Sequence, residues 1–154
     1  MTLKTTALIR SVHPDDVPAL CDLLADLFEA ESDFSADPRK QANGLRLLLE
    51  DGSGRSKAFV AVHEGRVIGM CSVQVVISTA EGRPAAIMED LVVRREHRGS
   101  GFGTALLEAV QEWCLKRGIT RLQLLADKNN LQALTFYANR GWCGTDLICL
   151  RKRL

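Results

Sequence analysis

Gly99, Gly101 and Gly103 follow Arg94, Arg95 and Arg98 and lead into an apolar helical run that includes Leu106, Leu107 and Val110. Glycine reaches positive φ freely and lets a ligand approach the backbone where a Cβ would intrude. A helix that opens on such a loop presents unpaired N–H groups and the positive end of its dipole, which together hold an anion. Residues of these types in this order are suited to gripping phosphate groups. Just upstream, Glu89 and Asp90 interrupt the apolar run from Ile87 to Val93. In a strand of period two, Glu89 shares a face with Ile87 and Leu91, and a carboxylate among apolar neighbours needs a reason.

The loop alone admits several readings. Arg98-Gly-Ser-Gly-Phe-Gly fits the pattern Gln/Arg-x-x-Gly-x-Gly/Ala, and it also looks like a dinucleotide fingerprint with Asp127 at the end of the next strand. Against the fingerprint, its third glycine position falls on Thr104, and the charged stretch Arg94 to Arg98 separates strand from loop. A P-loop fits less well still, because no Gly-Lys-Ser/Thr occurs in the chain. A glycine-rich turn without a ligand stays open at this point.

The elements that must position these residues follow from periodicity and punctuation. Thr6 to Val12 reads as a first strand. A helix beginning at Pro14 carries Val17, Leu20, Leu24, Leu27 and Phe28 on one face, and Glu29 to Ala36 is a broken acidic loop. Asp37-Pro38 caps a second helix whose apolar face holds Leu45, Leu48 and Leu49. Lys57 to His63, Arg66 to Ser78 and Ala85 to Val93 form two consecutive hairpins. Gly103 to Lys116 is a helix, Arg121 to Ala126 a strand, Leu131 to Asn139 a short helix, and Cys143 to Leu154 closing strand material. The expected class is α+β (α/β mixed): a mostly antiparallel central sheet of about seven strands, four helices and a β-α-β unit around the glycine loop, in one domain over residues 1–154.

Further on, the chain reads Asn130-Leu-Gln-Ala-Leu-Thr-Phe-Tyr-Ala-Asn-Arg-Gly-Trp. With this stretch the sequence from about Ala58 to the C-terminus resembles the GNAT superfamily of acyl-CoA-dependent N-acetyltransferases. That family is marked by the Arg/Gln-x-x-Gly-x-Gly/Ala loop after its fourth strand, then by Asn-x-x-Ala-x-x-Phe-Tyr-x-x-x-Gly-Phe/Trp/Tyr on its fourth helix. Both motifs occur here in order, whereas the first two helices match only in layout.

The resemblance implies acetyl-CoA as acyl donor, its pyrophosphate on the backbone of Arg98, Gly99, Ser100, Gly101, Phe102, Gly103 and Thr104. The pantetheine arm would lie beside the main chain of Leu91, Val92 and Val93, with Asn130 bracing it; Asn130 reads equally well as a helix N-cap. Tyr137, the sole tyrosine, would protonate the departing thiolate, its alternative being a core aromatic. The implied reaction is direct acetyl transfer to a primary amine in a ternary complex. An alkylammonium of pKa about 10 must first lose a proton. Glu89 is the expected base, acting through water; Asp90 is the second choice, with a salt bridge to Arg94 or Arg95 as its alternative reading. Phe28, Glu29 and Asp33 stand where relatives build the acceptor side, which points to a small polyamine-like or aminoalkyl cation, although acidic loops are also ordinary solvated segments. The resemblance leaves two other functions open: acetylation of a protein lysine or N-terminus, and a non-catalytic CoA-binding regulatory module.

Composition narrows the classes. Twenty basic and 19 acidic residues leave a net charge of +1, so no global field draws the chain to nucleic acid or a membrane surface. No basic-then-apolar leader opens the chain and no apolar run approaches the roughly 20 residues of a span, which makes the cytoplasm the expected location. Cys21, Cys71, Cys114, Cys143 and Cys149 are odd in number without C-x-x-C spacing, and His13, His63 and His97 are scattered, so neither a disulfide framework nor a metal site is expected. The apolar stretch Leu147 to Leu150 permits a homodimer through the closing strands.

Overall fold

A computed structural model describes residues 7–31 and 33–154. The chain divides into two compact units, one ending at Gln123 and the other running from Leu124 to Leu154. The first unit contains β1 (Leu8–Ser11), a single 3-10 turn (Pro14–Asp16), α1 (Val17–Ala30), α2 (Pro38–Leu49), β2 (Ser56–His63), β3 (Arg66–Ser78), β4 (Arg83–Val93), a second 3-10 turn (Arg95–His97), α3 (Phe102–Leu115) and β5 (Leu122–Gln123). The strands form one sheet in the order β1-β2-β3-β4-β5. Neighbours from β1 to β4 are antiparallel, while β4 and β5 are parallel. Short turns close the β2–β3 and β3–β4 hairpins, and the parallel pair requires a crossover, which α3 provides.

The sheet is covered on both faces. Leu20, Leu23 and Leu24 of α1 and Leu45 of α2 pack with Val60, Met70 and Val92. Successive strand residues point to opposite faces, so Gly69 and Cys71 face away from Met70, toward α3. A Cβ on Gly69 would lie 3.0 Å from the Val92 carbonyl oxygen and 3.2 Å from Leu106 Cδ1 of α3. Glycine there lets β3, β4 and α3 close on one another.

The entry to α1 is held by charge. The Arg10 guanidinium donates to both Asp16 carboxylate oxygens at 2.7 and 2.9 Å, and the His13 N–H donates a third bond at 2.7 Å. The Arg10 hydrogen bonds, outweighing partial burial, hold the Asp16 carboxyl below its ordinary value. The stability it contributes is therefore full above the unfolded carboxylate pKa of about 4 and is lost as pH falls through the lower folded value. Asp16→Ala should cost about 2 kcal/mol at neutral pH. Thermal melts should show a smaller deficit at pH 3 than at pH 7; an equal deficit at both would refute the charged role.

Three expectations about elements are corrected. Among the described residues the sheet has five strands rather than about seven, and the strand expected over Arg121 to Ala126 is only Leu122–Gln123. Among the described residues, Cys143 to Leu154 contains no strand. Leu147, Ile148 and Leu150 there are 88, 80 and 86% exposed. A strand exists only where a neighbour completes its ladder, so apolar sequence alone does not make one. The first strand begins at Leu8, and Thr6 lies outside the described residues. The second unit carries α4 (Leu131–Ala138), whose Ala133 N–H donates to the Asn130 side chain at 3.1 Å.

Candidate active site

Gly99 and Gly101 adopt φ of 74 and 90°, the left-handed region that L side chains avoid. Gly103 does not need that freedom: it sits in the first turn of α3, one residue inside the helix start at Phe102. The expectation of positive φ therefore fails at the third glycine. α3 begins with Gly101 as N-cap, a residue without a side chain to cap it. Asp37 caps α2 and Asn130 caps α4, whereas α1, like α3, starts without a side-chain cap bond. What sets α3 apart is the left-handed glycine before it, which opens the backbone of the helix start to an anionic group. Arg98 Nε donates to the Val93 carbonyl at 2.9 Å, tying the loop to the end of β4. The Phe102 side chain is buried, its ring centroid 5.5 Å from His63 and 6.0 Å from His97. Only its backbone faces the loop's role.

β4 is irregular where the carboxylates stand. Ser72 pairs with Glu89, but Met70 pairs with Val92, so Asp90 and Leu91 oppose Cys71 alone. This is a β-bulge, and Asp90 takes φ of 55° within it. Cross-strand partners share a face, and Met70 and Ser72 lie two apart on β3, so Glu89 shares a face with Val92. The expectation that Glu89 and Leu91 share a face is thus overturned by one extra residue. Glu89 itself is exposed. Asp90 is half-buried, and its carboxylate lies 3.4 Å from the hydroxyl of fully buried Ser72. Arg94 turns elsewhere, its Nε donating to the Val67 carbonyl at 3.4 Å. Burial, then the nearby Glu89 charge, pushes the Asp90 carboxyl up to about 6, and Glu31 at the end of α1 adds to the rise. Pairing of β4 with β5 stops at Ile87 opposite Gln123, so in the sheet Leu91, Val92 and Val93 have β3 on one side only.

The end of α1, a helix that packs against β3 and β4, and the loop that follows it form an open groove of about 550 Å³. Phe28 and Glu29 line it, as do Asp26, Glu31 and Phe34. The rings of Phe28 and Phe34 lie 5.4 Å apart. Asp33 is exposed and is not among the lining residues. Ser72 and Cys71 escaped the sequence reading, although Ser72 interrupts the apolar texture of β3 and that was a usable signal.

In the second unit, Tyr137 and Phe136 are partly buried in α4, and the Tyr137 ring packs at 5.3 Å from Phe136 and 5.6 Å from Trp142. Asn130 acts as the helix N-cap. Among the described residues, no helix is long and apolar enough to cross a membrane, and no three His, Cys, Asp or Glu side chains gather as metal ligands would.

A mixed sheet with a β-α-β glycine loop and a bulged fourth strand defines an acetyltransferase-like architecture, and comparison with known proteins gives the family. The model of the Acetyltransferase (GNAT) family matches residues 17–142, and the chain belongs to that family. It is 31% identical over 146 residues to an uncharacterized N-acetyltransferase of Methanocaldococcus jannaschii, covering 91% of this chain but 62% of that protein. Among solved structures, a possible acetyltransferase from Clostridium difficile 630 superposes with a TM-score of 0.83 at 19% identity, over 96% of this chain and 97% of that one. An aminoglycoside acetyltransferase from an uncultured soil metagenomic sample, in complex with sisomicin, gives 0.77 at 22% identity over 96% of each chain. At these identities the structural likeness is one of fold.

Proposed function

We propose that this chain transfers an acetyl group from acetyl-CoA directly to a primary amine in a ternary complex, the acceptor being a small polyamine-like or aminoalkyl cation. The observation that carries the proposal is the β4 bulge, which sets the Asp90 carboxyl beside Ser72 and within reach of the Glu31 charge, and Glu31 also lines the acidic groove. Bound acetyl-CoA supplies an activated thioester carbonyl and a thiol leaving group. The first-turn N–H groups of α3 receive its pyrophosphate, and the main chain of Leu91, Val92 and Val93 offers the edge for its extended arm. Asn130 and Tyr137 keep their family roles, bracing and proton donation, as part of this proposal.

A base near pKa 6 is protonated reversibly near neutrality, which suits removal of the ammonium proton before attack. Asp90 is therefore assigned as the base, and exposed Glu89 as the charge that raises its basicity and attracts the cation. Phe28, Glu29 and the neighbouring Glu31 offer an aromatic and acidic wall to an alkylammonium. An open groove also admits the side chain of a peptide lysine, so the acceptor test must include both classes.

The deciding experiment is CoA-thiol release from acetyl-CoA against polyamines, aminoglycosides, aminoalkylphosphonates, amino acids and lysine peptides, with thermal shift by acetyl-CoA alongside. Turnover with small amines supports the proposal. Turnover with lysine peptides alone would reassign the acceptor, and stabilisation without any turnover would favour the regulatory module. The glycine loop has its own check. Gly101→Ala should cost about 1–2 kcal/mol of stability because φ is positive, and should weaken acetyl-CoA binding roughly tenfold. Isothermal titration with acetyl-CoA measures it; unchanged affinity would remove the phosphate role from this loop.

A further inference from the structure

Ser72 carries one hydroxyl proton and faces two acceptors. Its Oγ lies 3.2 Å from the Glu89 carbonyl oxygen and 3.4 Å from Asp90 Oδ2. The residue is 1% exposed, so its hydroxyl is shielded from bulk water and turns to these two acceptors. When Asp90 is ionised, the hydroxyl can donate to its carboxylate. When Asp90 is protonated, its own O–H can donate to Ser72 Oγ, and the Ser72 hydroxyl turns to the Glu89 carbonyl. The Cys71 thiol, 3.7 Å from that same carbonyl, is a second donor for it. Both protonation states of Asp90 thus find a hydrogen-bond partner in Ser72 without moving the strand.

We propose that Ser72 is a positioning residue for acetyl transfer, its hydroxyl turning between the Glu89 carbonyl and the Asp90 carboxylate as Asp90 takes and releases the acceptor proton. The proton balance is closed: the ammonium proton passes to an Asp90 oxygen, Asp90 donates to Ser72, and the Ser72 proton never leaves its oxygen. The inference rests on the acetyltransferase reading for its chemistry, but the coupling itself is a property of the folded chain. The charged groups acting on Asp90 are Glu89 on its own strand and Glu31 at the end of α1. From β3, Cys71 faces it as a neutral thiol, because burial first, then Asp90 and Cys114 of α3, push that thiol far up. β5 brings only Leu122 and Gln123 alongside β4.

Removing the Ser72 hydroxyl takes a donor from the ionised carboxylate and an acceptor from the protonated form, and the charge-assisted bond is the stronger of the two. The expected result for Ser72→Ala is a rise of about one pH unit in the Asp90 titration, the difference between a charged and a neutral hydrogen bond. The carboxyl carbon of Asp90 is followed by NMR in the full chain without ligands, and the acid limb of kcat/KM should move upward by the same amount. Ser72→Thr, which keeps the hydroxyl, should hold both at their wild-type positions. If Ser72→Ala does not fold, Ser72→Cys, with a weaker donor, should show a smaller shift in the same direction. An Asp90 titration unmoved by loss of the hydroxyl overturns the inference. Absence of turnover with every amine would count against the acetyltransferase reading alone, since the carboxyl titration decides the coupling without turnover.

Discussion

Asp90→Asn should lower kcat/KM for amine acetylation by roughly 10²- to 10⁴-fold, the span of a lost general base, while acetyl-CoA affinity stays unchanged. The same substitution should stabilise the fold. The Asp90 carboxyl is raised to about 6 by burial and by Glu89. A group with a raised folded pKa contributes stability that is complete below its unfolded value near 4 and lost as pH climbs through the folded value. At pH 7–8 the ionised side chain is thus a liability, and the neutral amide relieves it by about 1–2 kcal/mol. Asparagine also accepts the φ of 55° that this position requires. Faster wild-type kinetics and a higher melting temperature for the variant would together identify a residue kept for chemistry. A variant that loses stability, or keeps its rate, would show that the carboxylate is structural.

Tyr137→Phe is the second large effect. If the phenol donates the proton that the departing thiol takes up, kcat should fall about 10²-fold with little change in KM. Phenylalanine keeps the ring that packs against Phe136 and Trp142. Steady-state kinetics measure it, and an unaltered kcat would return Tyr137 to the role of a packing aromatic. A CoA-binding regulator would behave differently from an enzyme under both substitutions. It would bind acetyl-CoA as before and have no rate to lose.

Helix starts were legible because their signals are local. Asp37-Pro38 caps α2 at the expected residue, and the apolar faces of α1 and α3 are the ones that bury. The hairpins were legible because alternation and turn residues coincide over Ser56 to Val93. The left-handed turns of the glycine loop were legible at Gly99 and Gly101, where backbone conformation restricts residue choice. The closing strands were not, because Leu147 and Ile148 have strand-like side chains but need a neighbouring ladder to become a strand.

The carboxylate pair marks the division between the two levels. The amino-acid sequence by itself determined the family motifs, the glycine loop, and the presence of two acids in an apolar strand, since each is a matter of residue type and spacing. Only the tertiary structure decided which acid is enclosed. One extra residue in β4, opposite Cys71, shifts Glu89 onto the face of Ser72 and Val92 and turns Asp90 toward the Ser72 hydroxyl. A bulge is a property of two strands in register, and period-two reasoning on a single strand has no term for it.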